Sequence, residues 1–145
     1  CSDVEPGEYG NVTVYPFGFD GFQKNLRLCQ SVLCNAGFEL NSEALMLGKR
    51  ILVKPLKGQI EQHSNAIALE MLGLAQSTDV LTAEVIQLWL DTQLPVQVDY
   101  PDTAGYLANW LAGGALTPIP DMAKELWSQV YGIDHDFNVE GIASI

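Results

Sequence analysis

Three polar residues in the first half of the chain stand where chemistry could be done. Glu43 lies six residues after Gly37, and Glu61-Gln62 follow the loop Leu56-Lys57-Gly58. Each glycine-bearing turn opens a helix. The first turn of a helix leaves N–H groups without partners and carries a partial positive charge, a setting suited to a phosphate. Glu43 falls beyond the first turn of its helix, Glu61 and Gln62 within the first turn of theirs. Each also has a purely structural reading: Glu43 as an exposed helix acid, Glu61-Gln62 as N-terminal capping groups. Asn65 follows three residues after Gln62, on a neighbouring face of the same helix.

The elements that must hold these residues are legible around them. Ser31 to Asn35 is an apolar run short enough for a strand buried on both faces. The chain turns at Ala36-Gly37, continues as a helix toward Gly48, and re-enters the sheet at Arg50 to Pro55. A helix from about Gln59 to Leu72 follows, with Ala66, Leu69 and Leu72 as its apolar stripe. Gly37 is expected to supply backbone angles or close approach that other residues resist. This is a βαβα unit, and such units place ligand loops at the carboxyl ends of parallel strands.

Upstream, Asn11 to Pro16 alternates and is β-branched, so it predicts a strand, and Gly21 to Cys29 predicts a helix. The expected fold is a three-layer, Rossmann-like α/β domain with parallel strands at about 11–16, 31–35 and 50–55. Residues 1–10 read as an irregular lead-in. Downstream, Asp79 to Leu81 reads as a short edge strand or an extended link and Thr82 as the cap of a helix. Asp102 or Thr103 starts another, and Asp121 starts the last, ended by Gly132. Trp89, Trp110 and Trp127 lie in helical patterns and are expected in the core. One domain over 1–132 and a tail over 133–145 account for the chain.

Composition narrows the partners. A chain of 145 residues with 48% hydrophobic residues can bury a single core. Net charge is −11 with only 7 Lys+Arg, which argues against a nucleic-acid partner. No apolar run approaches a membrane span. Three cysteines, Cys1, Cys29 and Cys34, match no zinc spacing, and reduced thiols suit a reducing, cytoplasmic setting. Cys1 alternatively fits the first residue of a mature lipoprotein. His63 reads as a solvated helix residue, and His135 between Asp134 and Asp136 is too sparse for a metal site, so none is expected.

The run from Asn35 to Gly73, NAGFELNSEALMLGKRILVKPLKGQIEQHSNAIALEMLG, resembles the donor-binding half of a GT-B glycosyltransferase carboxyl-terminal domain, as in MurG-like and related nucleotide-sugar families. Gly37, Glu43, Gly48-Lys49, Pro55, Glu61-Gln62 and Asn65-Ala66 occupy the family's spaced positions, and the similarity extends back to Asn11–Phe17. It implies a nucleoside diphosphate sugar, UDP-linked, as donor, no further cofactor, and transfer of a hexosyl or N-acetylhexosaminyl group to an acceptor hydroxyl. It places the base near Phe17 and Gly18, where Phe17 and Phe19 offer rings for stacking. The diphosphate falls on Gly37, Phe38, Glu39 and Leu40, the ribose on Glu43, and the donor sugar on Glu61, Gln62 and Asn65.

None of these residues is the catalytic base. In such enzymes the base belongs to an amino-terminal acceptor domain, so the resemblance implies a partial domain that is inactive alone, partnered by that missing half and prone to self-association. The chain departs from the pattern at Leu40, where relatives often carry Ser or Thr, at Arg50 in place of Pro, and at Glu39 beside the expected diphosphate. A nucleotide-sugar 2-epimerase and a non-catalytic binding protein of the same fold are the alternatives.

Overall fold

The computed structural model describes residues 4–132. Two short strands, Gly7–Tyr9 (β1) and Val12–Val14 (β2), pair antiparallel around the Gly10-Asn11 turn, with Gly7 opposite Val14 and Tyr9 opposite Val12. The segment predicted as a parallel strand at 11–16 is therefore one arm of a separate hairpin. The lead-in is the other arm. A partner two residues away costs little closure entropy, whereas a parallel partner needs a whole crossover. The Val-Thr-Val of β2 buries no residue fully, so no core pull overrides the local pairing.

Helix Phe19–Leu28 (α1) leads into the parallel sheet, formed by Ser31–Cys34 (β3), Arg50–Val53 (β4) and Gln76–Ser77 (β5) in the order β3-β4-β5. Helix Phe38–Met46 (α2) joins β3 to β4, and Ile60–Met71 (α3) joins β4 to β5. Register is set by Ser31 opposite Arg50 through Cys34 opposite Val53, and by Leu52 opposite Gln76. The third strand is thus Gln76-Ser77, and 79–81 is the link alternative rather than an edge strand. A polar pair is a weak strand signal, and its place beside the buried β4 decides it. Helix α2 ends where Gly48 takes φ +62, a left-handed angle that favours glycine, with Gly48 N–H donating to Leu45 O and Lys49 N–H to Ala44 O.

Three further helices follow: Ala83–Thr92 (α4), Thr103–Ala112 (α5) and Ile119–Trp127 (α6). Thr82 caps α4 by accepting from Val85 N–H, and Asp102 caps α5 by accepting from Gly105 N–H. Helix α6 begins two residues before the expected Asp121. Pro120 fits its first turn because the missing N–H there has no partner to lose.

Ile51 and Val53 turn one face of β4 into the main core, where they meet Ala44, Leu45, Ala66, Leu74 and Val98. Leu52 is buried on the opposite face. Arg50 shares that face, and its Nη1 donates to Leu90 O of α4 at 2.7 Å, so helices cover both sides of the sheet. The covering thins toward β3: Leu33, level with Leu52, is 43% exposed against 1%. Of the three tryptophans, Trp89 is buried, Trp110 half-buried and Trp127 61% exposed, so the expectation of a core role fails for Trp127. The amphipathic α6 leaves it at an edge.

Candidate functional site at the carboxyl edge of the parallel sheet

Two buried or half-buried amides hold the turn after β3. Asn41, one turn into α2 and 4% exposed, donates through Nδ2 to Gly37 O at 2.6 Å and to Asn35 O at 3.3 Å. Its Oδ1 accepts from the Cys34 thiol at 3.3 Å. From α3, Asn65 Nδ2 donates to Ala36 O at 2.9 Å. The turn 35–37 is thus pinned from its own helix and from the next. Its three carbonyls are occupied by these amides. No side chain caps that helix N-terminus.

Gly37 adopts φ −73 and ψ 152, angles open to any residue, and a Cβ added there would meet nothing within 4 Å. Neither strain nor internal crowding calls for glycine, contrary to the angle argument made from sequence. The space it leaves is open space at the end of α2. Phe38 is 73% exposed beside it, Glu39 is exposed in the first turn, and Leu40 is half-buried.

Glu43 is half-buried and accepts from Gln23 Nε2 of α1 at 3.2 Å. A rise of 1.5 Å per residue puts it about 9 Å along the axis from Gly37. Gln62 Oε1 accepts from Leu56 N–H at 2.8 Å, closing the loop between β4 and α3. Glu61 is exposed in the first turn of α3, as is His63 beside it. The 37–40 turn and Asn65 are therefore brought together directly. Gln62 stands one turn before Asn65, and Glu43 further along α2.

Phe17 and Gly18 are not tied to this group by any hydrogen bond among the described residues. Phe17 is 92% exposed, and Gly18 precedes α1, where its carbonyl accepts from Phe22 N–H. The side chain of Phe19 lies outside the described residues, as do Cys1, His135 and the tail 133–145.

Sequence reasoning missed Asn41 and Gln23. The signal for Asn41 was available: a residue of poor helix propensity one turn past a glycine turn, placed to bond back to it. Gln23 had none, because its role depends on how α1 meets α2.

Burial raises the Cys34 thiol to about 11, which keeps it protonated and makes it a weak donor to Asn41 rather than a nucleophile. Cys29 and Cys34 are both free thiols, each half-buried. No three His, Cys, Asp or Glu side chains gather among the described residues as a metal would need. No helix of the described residues is long and apolar enough to cross a membrane.

The arrangement offers a helix N-terminus without a side-chain cap at a fixed turn, a carboxylate further along the same helix, and amides from the next helix. That set can receive a ligand with an anionic part and hydroxyls. Comparison with curated proteins and with solved structures finds no match. A family model described as glycosyl transferase family 1 matches residues 3–95, which include both turns and every sequence-predicted site residue. On that match, spanning well over half of the chain, this protein is a glycosyltransferase domain and belongs to glycosyl transferase family 1.

Proposed function

We propose that the chain supplies the nucleotide-sugar-binding part of a glycosyltransferase. The donor is a UDP-sugar, and the group moved is a hexosyl or N-acetylhexosaminyl unit, delivered to an acceptor hydroxyl. The observation that carries this is the uncapped N-terminus of α2 behind a turn held by Asn41 and Asn65. The difficulty of the reaction is the departure of a diphosphate from the anomeric carbon. N–H dipoles fixed in advance stabilise the growing charge without reorganising. Glu43 accepts from the ribose hydroxyls, its Oε2 already steadied by Gln23. Glu61, Gln62 and Asn65 orient the donor sugar, Gln62 and Asn65 with the amide atoms their backbone bonds leave over. The nucleobase is assigned to Phe17 and Gly18, as the resemblance implies. The catalytic base and acceptor site belong to a partner domain.

The test is calorimetric titration with UDP. Glu43→Ala should weaken binding about ten- to a hundred-fold, the worth of a hydrogen bond to a charged group. Glu39→Ala should bind equally or more tightly, since a repelling charge is removed. Circular dichroism confirms the fold of each variant. Equal affinity for UDP in folded Glu43→Ala would make Glu43 a surface acid and sink this assignment.

A further inference from the structure

Helices α5 and α6 do not seal against α2 and α3. They leave a groove of about 770 Å³ that runs from Gly37 and Phe38 at one end to Leu72 and Leu74 at the other. Its floor is α2 and α3. Its roof is the segment from Tyr100 to Val130, outside the residues matched by the family. That volume is in the range of small-molecule sites, roughly 300–1,000 Å³.

The lining says what the groove can take. No charged side chain contributes to it, in a chain of 18 acidic and 7 basic residues. Its polar side chains are mostly spent on their own walls. Asn41 and Asn65 donate to the 35–37 turn, Ser42 to Phe38 O, and Thr103 to Pro101 O. Away from the Gly37 end, a sugar or a nucleoside would bring several hydroxyls and find few partners, at a penalty for each left unpaired. A hydrocarbon asks for none. Asn41, Ser42 and Asn65 line the groove near the Gly37 end, where α2 has no side-chain cap, and Tyr100 and Thr103 add hydroxyls from the roof. Phe38 and Trp127, both lining residues, remain 73% and 61% exposed, so an occupant would cover two aromatic rings now in water.

We infer that this groove binds the hydrocarbon chain of a single-chain amphiphile, with the polar head at the start of α2. Leu69, Leu107, Met122 and Leu126 hold the chain, and Phe38 and Trp127 close over it. The inference goes beyond the donor reading and does not depend on it, but both put an anionic group at the start of α2, so UDP and the amphiphile should compete for that end of the groove.

Alkyl phosphates from hexyl to dodecyl, each below its micellar concentration, provide the test. Binding is read by calorimetry and by a blue shift of Trp127 emission, with Trp127→Phe identifying the source of the shift. Affinity should rise about fourfold per added methylene, then level off once the groove is full. Ala68 is an exposed residue on the floor, so Ala68→Phe fills the groove without disturbing the core. That variant should bind dodecyl phosphate at least tenfold more weakly and show no chain-length dependence. Glu43→Ala, which tests the nucleotide assignment, should leave the alkyl series unchanged. Equal affinities for hexyl and dodecyl phosphate, or dodecyl binding untouched by Ala68→Phe, would overturn the inference. So would inorganic phosphate binding as well as dodecyl phosphate, or sedimentation showing the groove covered by a second copy that dodecyl phosphate does not displace.

Discussion

The unit from β3 to β5 and the stretch from β1 to α1 read alike as sequence, each a β-branched run followed by a turn and a helix. They fold differently. In the first, Ile51, Leu52 and Val53 are all at or below 1% exposure, and most of the main core lies between Ala36 and Ala75. Upstream of Ala36, only Leu26 is a buried hydrophobic among the described residues. Strand pairing follows that difference. Where both faces of a strand are covered, long-range parallel pairing is stabilised by the burial it permits. Where neither is, the nearest antiparallel partner wins. Leu33, level with Leu52 yet exposed, marks where one regime gives way to the other.

Mutations can break or sharpen this contrast. The largest effect is expected at the centre of the parallel unit. Ile51→Ala empties a fully buried site and should cost about 2–5 kcal/mol by chemical denaturation; a cost under 1 would mean the unit is not the stabilising core. Next is the clamp on the turn. Asn41→Ala removes the donor to Gly37 O and Asn35 O and should cost about 1–3 kcal/mol. If UDP binds at α2, the same variant should weaken it, whereas a variant of the hairpin should not.

The third effect depends on pH. Cys34 has a folded value of about 11 against an ordinary 9.0, so between those values the folded state holds a proton that the unfolded state has lost. Stability from this group is present below pH 9 and falls as pH rises toward 11. Cys34→Ser should flatten that part of the stability curve, and an unchanged slope would show that the thiol is not shielded. The smallest effect belongs to the hairpin. Thr13→Ala breaks the exposed bond from Thr13 Oγ1 to Glu8 Oε2, 2.8 Å long, and should stay within about 0.5 kcal/mol. A larger loss would show that the hairpin supports the rest of the domain.

The same contrast explains what could be read from sequence. The βαβα unit was legible because its strands are apolar runs and Gly48 stops α2 where the pattern ends. The placement of Gly37, Asn65 and the two turns on one edge followed from that. The hairpin was not, although Gly10-Asn11 between Tyr9 and Val12 is a two-residue turn signal. The alternation of β2 fits either partner, and only burial separates them. Strand β5 was hidden because Gln76 and Ser77 owe their conformation to β4 rather than to their own propensity. At the site, Asn41 was legible in principle. The bond of Gln23 to Glu43 was not, since it joins two helices whose mutual approach no local pattern encodes.

The roof of the groove begins and ends at one place. Asp99 and Tyr131 exchange backbone hydrogen bonds of 3.0 and 3.1 Å, Val98 N–H donates to Leu45 O, and Gly132 passes so close to Gln97 that any Cβ there would collide with its carbonyl. The chain thus leaves the domain and returns through a single doorway. Apart from Val130, which is buried in the main core, what lies between the two posts can grow, shrink or be exchanged while the doorway, and the sheet behind it, keep their shape. Tolerance to inserted residues should accordingly be concentrated at the exposed link between α5 and α6. A lineage could retool this cap for a different occupant without refolding the turns that face it.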